Sequence, residues 1–263
     1  MSSDTVEKRS AEVGSVASAI EIMRCVAAAK DPIGVSELAR RVGLHKSSVS
    51  RIVTTLQRAN LLRRDDATGR YSIGLGFLAL SAPLLADLSL TDVIRPAIGK
   101  LAQESGETGS FNIWDGDCAV SIVQVAGSNA VQAFSAPGYR NPAHATATGK
   151  MLLSRQPAAI IQKYCKAPME RFTEATVTDP ALLLRELEKV RERGYAVNVG
   201  EYEKDVGAVA AAVLDSRGAV LGSVALTVPS YRLSVERSHE LGRMLMECSV
   251  EIGRNLDLFY KIR

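Results

Sequence analysis

Four hydroxyls and two cations crowd into the nine residues KSSVSRIVT: Lys46, Ser47, Ser48, Ser50, Arg51 and Thr54. Short hydroxylated side chains hydrogen-bond base edges or phosphates without steric bulk, and an arginine reads guanine with two donors. Serine is a weak helix former, so its accumulation here calls for a reason beyond solvation. His45, just before the stretch, is a candidate helix cap or phosphate contact, and Ser36 a candidate cap with access to the same surface. Arg63, Arg64 and Arg70 follow within reach of a phosphate backbone or minor groove. This constellation suits double-stranded DNA. A solvated helix face, or a protein-binding one, is the plainer alternative.

A second group lies in HATATGK. His144, Thr146 and Thr148 precede or open a helix, followed by Gly149 and Lys150. Free backbone donors, hydroxyls and the positive end of a helix dipole together suit a carboxylate. Equally, Thr146 can simply cap the helix while His144 packs in the loop. The alanine-rich strand GAVAAAV leaves room either for a ligand or for a closely packed helix. Acid–base catalysis has weaker support. Asp115 and Asp117 sit in a turn pattern where carboxylates satisfy turn amides. Glu201 and Asp205 belong to the charged stretch EYEKD, which reads as a solvated loop, and Cys118 has no histidine near it. Neither a GxSxG elbow, a phosphate-binding glycine loop nor a metal-ligand cluster is present, so no catalytic residue, metal or cofactor is expected.

Periodicity supplies the elements that must hold these groups. Val16, Ala19, Ile20, Met23 and Val26 recur at helical spacing, giving a first helix that Asp31-Pro32 ends. Ser36 is the expected N-cap of a second helix, with Leu38, Ala39 and Val42 inward and Gly43 just past its end. Val49, Ile52, Val53 and Leu56 then define a third helix from about Lys46 to Ala59. Pointing that set inward turns the hydroxyls and Arg51 outward. Leu61 and Leu62, the turn DDATG and RYSI complete a hairpin. Helix, helix, turn, helix, hairpin is the order of a winged helix-turn-helix. The net charge of +3 is uneven: residues 1–76 hold twelve Lys/Arg against eight Asp/Glu, and the remainder twenty against twenty-one. The basic excess thus falls where phosphate contact is expected.

Residues 1–13 read as a disordered lead-in, 14–74 as the DNA-binding domain, and 75–90 as an apolar linker helix that a second copy of the chain would cover. From residue 91 the pattern is mixed α/β. It comprises a helix over DVIRPAIGKLAQESG, two strands around Asp115-Gly116-Asp117, a further strand at VQAFSA, and helices at HATATGKMLLS, AAIIQKYC and DPALLLRELEKVRERG. Three strands follow at YAVNVG, GAVAAAVLD and GSVALTVP, then a closing helix from Ser234 to about Leu256. With no apolar run of about 18 residues, no membrane span is expected. The polar start MSSDTVEKRS is not a signal peptide, and four scattered cysteines fit reduced thiols in a cytoplasmic protein.

The chain resembles the IclR family of bacterial transcriptional regulators over nearly its whole length. The resemblance rests on VSELARRVGLHKSSVSRIVTTLQRANLLRRD with GRYSIGLGFLAL, on PAHATATGKMLLS, and on GEYEKDVGAVAAAVLDSRGAVLGSVALTVPSYRL. It implies an α+β multidomain chain: a winged helix-turn-helix joined by a linker helix to a GAF-like α/β effector domain. It also implies a homodimer or dimer of dimers on a pseudo-palindromic operator. A small organic acid, an aromatic one included, would bind between HATATGK and the C-terminal strands. By position, the lining would include Ala147, Thr148, Asn198, Val206, Ala208, Ala225 and Thr227, with His144 and Glu201 beside it. Asp205 stands where the family commonly has glycine, and Ala212 where it has proline. Asn198, Ala208 and Ala225 replace the acid, thiol and serine of the small keto-acid pattern, which predicts a less polar pocket. The function implied is a ligand-responsive regulator, a repressor of a catabolic operon. An architectural DNA-binding protein with a C-terminal assembly domain is the alternative, and an enzyme with an accessory winged helix a more distant one.

Overall fold

The structure, a computed structural model, describes residues 13–29, 31–77, 79–81, 89–133 and 137–262. The chain divides into two compact units, residues 1–87 and 88–263.

In the first unit α1 (Gly14–Ala28), α2 (Val35–Val42) and α3 (Lys46–Arg58) precede a hairpin of β1 (Leu62–Arg64) and β2 (Tyr71–Ile73). Ile33 joins the hairpin through a single antiparallel bridge to Tyr71. The core gathers Ile22, Val26, Leu38, Val49, Val53, Leu56, Leu62 and Tyr71. Helix α2 ends at Gly43, whose φ is 66°. That is left-handed backbone, which glycine adopts without a Cβ penalty. The reversal sets α3 across α2.

Two expectations change here. Gly34, not Ser36, is the N-cap of α2; Ser36 lies inside the first turn, where it is exposed. And α1 packs through Ile22 and Val26, whereas Val16 and Ile20 are 55% and 41% exposed. Apolar residues line two sides of this helix, and contact with α2 and α3 takes only one.

Of the expected linker, residues 76, 77 and 79–81 are helical and 82–88 lie outside the described residues, as do residues 1–12 of the lead-in. Ser89 and Leu90 already open α4 of the second unit (Ser89–Ser105). There β3 (Thr108–Asp115) and β4 (Cys118–Val125) form a hairpin. A short β5 (Arg140–Pro142) leads to α5 (Ala147–Ser154), α6 (Ala158–Lys166) and α7 (Pro180–Arg193). Strands β6 (Tyr195–Val199), β7 (Val206–Leu214) and β8 (Val220–Pro229) precede α8 (Val235–Ile262). The strand expected at VQAFSA does not form over residues 131–133, and 134–136 lie outside the described residues. Val131 is 56% exposed, so little burial favours a strand there.

The strands make one antiparallel sheet in the order β5-β4-β3-β8-β7-β6. Its two faces differ because side chains alternate along each strand. One face carries Phe111, Val123, Val209, Val224, Leu226 and Val228, which pack with Ile94, Ile98, Leu241, Leu245 and Ile252 of α4 and α8. The other carries small and polar residues. Across it Thr108, Thr227, Ala208 and Asn198 stand in register, and beside them Ser110, Ala225, Ala210 and Ala196. Alanines on β6, β7 and β8 let α5 settle close, with Ala147 and Met151 against Ala210 and Ala225. A Cβ on Gly149 would stand 2.5 Å from the Ala143 Cα, so only glycine permits this approach.

Candidate DNA interface and ligand cavity

Helix α3 shows the amphipathic division its sequence predicts. Val49, Val53 and Leu56 are buried, and Ile52 partly so. Lys46, Ser47, Ser48, Ser50, Arg51, Thr54 and Thr55 are exposed. Thr54 donates to the Ser50 carbonyl (2.8 Å) and Thr55 to that of Arg51 (3.0 Å). With their protons turned back onto the helix, these two hydroxyls reach outward only as acceptors. His45 holds the N-cap position but its side chain makes no cap bond. That leaves the first amides of α3 open for a phosphate. Among the described residues neither Lys46 nor Arg51 has an ion-pair partner, whereas Arg41 on α2 is tied to Glu37.

In the wing, Arg63 and Arg64 project from β1. Asp65 folds the turn by accepting from the Thr68 amide (2.7 Å) and hydroxyl (2.9 Å), bonds that hold its carboxyl below the usual range. Arg70 departs from expectation. Its guanidinium donates to the Pro32 carbonyl (3.1 Å), which turns it onto its own unit rather than along the wing.

In the second unit a cavity opens over the polar face of the sheet, at the N-terminus of α5. Of the residues expected to line it, Ala147, Thr148, Asn198, Val206, Ala208 and Thr227 do. Ala225 does not: it is 1% exposed beneath α5. His144 does not either. Its Nδ1 lies 2.8 Å from the Tyr164 hydroxyl and its Nε2 2.8 Å from the Glu170 carbonyl. Because that carbonyl can only accept, Nε2 carries the proton and Nδ1 accepts from the phenol. Burial pushes the ring pKa down, consistent with a neutral imidazole. Thr146 caps α5 by accepting from the Gly149 amide (3.1 Å) while donating to the Pro142 carbonyl (2.9 Å). The packed loop and cap of the plainer reading therefore hold for His144 and Thr146, although Thr146 still reaches the cavity wall.

Glu201 behaves unlike a solvated loop residue. It is 8% exposed and accepts both bonds from the buried Lys150 ammonium, at 2.7 and 2.6 Å. Burial raises its carboxyl pKa, opposed by the ammonium beside it. The pair lies outside the cavity and ties α5 to the loop after β6. That loop is pinned again where Asn198 accepts from the Glu201 amide (3.0 Å) and Thr176 donates to the Glu201 carbonyl (2.6 Å). The loop brings Tyr202 and Glu203 to the cavity mouth, where the Tyr202 and Tyr139 hydroxyls meet at 3.1 Å.

Sequence reasoning missed much of the wall: Ser110 and Asn112 from β3, Tyr139 and Asn141 from around β5, and Tyr202 and Glu203 from the loop. They add polar side chains to the lining beyond the positions the resemblance named. Alternation along β3 was the available signal, but only the sheet register shows which side faces α5. Of the side chains weighed for catalysis, Asp115, Asp117, Glu201 and Cys118 are otherwise engaged, and Asp205 is exposed. Asp115 and Asp117 pair with Arg140, Asp117 at 3.2 Å. Burial pushes the Cys118 thiol up to about 11, away from the nucleophilic thiolate. The cysteines are free thiols. Among the described residues no cluster suits a metal ion, and no helix is long and apolar enough to cross a membrane.

Comparison with known proteins agrees with both halves. Residues 15–66 match the model of the IclR helix-turn-helix domain, and residues 83–254 that of the bacterial transcriptional regulator IclR C-terminal domain. The HTH-type transcriptional repressor AllR of Escherichia coli strain K12 is 30% identical over 227 residues, 85% of this chain and 83% of its own. The crystal structure of a putative IclR transcriptional regulator from Silicibacter sp. TM1040 superposes with a TM-score of 0.80 at 24% identity, covering 93% of this chain and 96% of that one. An IclR homologue from Microbacterium hydrocarbonoxydans, complexed with 4-hydroxybenzoate, does so with a TM-score of 0.77 at 22% identity, covering 93% and 99%. These two structures speak for the fold, a helix-turn-helix domain followed by an α/β domain consistent with the GAF-like type. The chain belongs to the IclR family of bacterial, DNA-binding transcriptional regulators.

Proposed function

We propose that the protein is a ligand-responsive repressor of a catabolic operon. It binds a pseudo-palindromic operator as a homodimer or dimer of dimers, and it responds to a small organic acid held in the cavity at the N-terminus of α5. The observation that carries the reading is the outer face of α3, where Lys46 and Arg51 stand among exposed hydroxyls without ion-pair partners among the described residues. Lys46, Ser47, Ser48, Ser50 and Arg51 meet the major groove, while His45, Ser36, Arg63 and Arg64 position the backbone. The repressor name of the AllR relative and the bound acid of the Microbacterium homologue support the two halves. An effector that favours one placement of the DNA-binding units by about 1–3 kcal/mol changes operator affinity roughly 5–150-fold.

The test is a gel shift on fragments upstream of the protein's own gene and its neighbours, with and without candidate acids. A retained fragment released by one acid is the expected result. Retention that no acid alters would favour the architectural alternative, and retention of no fragment would remove the reading.

A further inference from the structure

The cavity's own chemistry narrows its ligand. The cavity is partly open to solvent and has a volume of 50 Å³. One water needs about 10–15 Å³ on that measure, so there is room for roughly four waters. So small a space favours a compact acid over a larger, aromatic one. At the inner wall Asn198 is 4% exposed and uses Oδ1 to accept from the Glu201 amide. Its Nδ2, without a partner among the described residues, therefore faces the cavity. Asn112 donates through Nδ2 to the Ser110 hydroxyl (3.1 Å), which leaves the Ser110 proton free to donate and the Asn112 Oδ1 free to accept. Thr148 and the first amides of α5 add donors. Among the described residues no cation lines the cavity; Lys150 is neutralised by Glu201. The charged side chain that does line it is Glu203, at the mouth beside the phenols of Tyr139 and Tyr202.

These donors can hold a single carboxylate. The Glu203 carboxylate, the Asn112 amide oxygen and the two phenol rings suit an ammonium or hydroxyl and repel a second carboxylate. Resting on the reading of this cavity as the effector site, we propose that Glu203 is its specificity determinant. The cavity takes a compact monocarboxylate whose far end carries an ammonium or hydroxyl, and Glu203 excludes dicarboxylates.

Three acids on one carbon skeleton test this: β-alanine, 3-hydroxypropionate and malonate, titrated calorimetrically into the full-length protein. β-Alanine or 3-hydroxypropionate should bind at least about tenfold more tightly than malonate. Glu203→Gln should abolish that discrimination. Asp205→Asn, which removes a neighbouring exposed carboxylate outside the cavity wall, should preserve it. Ala208→Leu, which fills the cavity, should abolish binding. Malonate binding the wild type as tightly as the other two, discrimination surviving in Glu203→Gln, or binding surviving in Ala208→Leu would each overturn the proposal. If only a larger acid such as 4-hydroxybenzoate binds, this ligand class fails and the effector-site reading stands. If no acid binds, both fail.

Discussion

The recognition face of α3 and the wall of the cavity are both rich in hydroxyls and amides, yet they are built in opposite ways. Helix α3 draws its polar groups from one element, exposes them, and buries Val49, Val53 and Leu56 behind them. The cavity draws Ser110, Thr146, Thr148, Asn198 and Thr227 from β3, the start of α5, β6 and β8, and all but Thr227 are buried. In the first case recognition and stability rest on different side chains. In the second they rest on the same ones, because a buried polar group must be satisfied whether or not a ligand is present. A DNA-reading face built this way can change freely, whereas a ligand cavity can change only where its groups have no structural task. Glu203 is such a place; Asn198 and Thr146 are not.

Substitutions sharpen the contrast. The largest expected effect is at Lys150, 1% exposed and bonded twice to Glu201. Lys150→Met leaves that carboxylate without its ammonium and should destabilise the second unit by about 3–5 kcal/mol in urea unfolding. Lys150→Met with Glu201→Leu should recover most of the loss. A double variant as unstable as the single one would show that the helix, and not the charge, was damaged. Thr146→Ala removes the cap of α5, and in the same assay it should cost about 1 kcal/mol.

A smaller effect is expected from acid at His144. Burial lowers its folded pKa below the ordinary 6.5. Its contribution to stability is therefore complete above pH 6.5 and declines as pH falls through the folded value. Melting curves at pH 7.5 and 5.5 should differ less for His144→Gln than for the wild type. Smallest of all, Ser47→Ala and Ser50→Ala should leave stability within about 0.5 kcal/mol. A larger loss at either serine would break the separation claimed for α3.

Legibility in the sequence follows the same division. Local rules recovered α3's outer face, Gly43 after α2, the turn at Gly116, and α7 with Asp179 as its cap and Pro180 at its first position. Where apolar residues line two sides, as in α1, periodicity alone does not choose the buried one, and Ile22 was missed. Long-range pairs left no local mark. Lys150 and Glu201 are 51 residues apart, and Arg70 meets a carbonyl 38 residues away. The cavity wall needed the register of β3 against β8, which comes from turn geometry and packing rather than from any one segment. The family resemblance supplied six of the lining positions, and the chain's own polar additions from β3 and the loop after β6 lay outside it.

Central to all of this is the proposal that α3 reads sequence with side chains its own fold does not need. Affinity of wild type and Arg51→Ala for the retained upstream fragment and for random DNA, measured at several salt concentrations, tests it most directly. The account predicts a loss of about 1–3 kcal/mol on the retained fragment, little change on random DNA, and an unaltered melting temperature. Equal losses on both DNAs would make Arg51 a phosphate contact and contradict the claim.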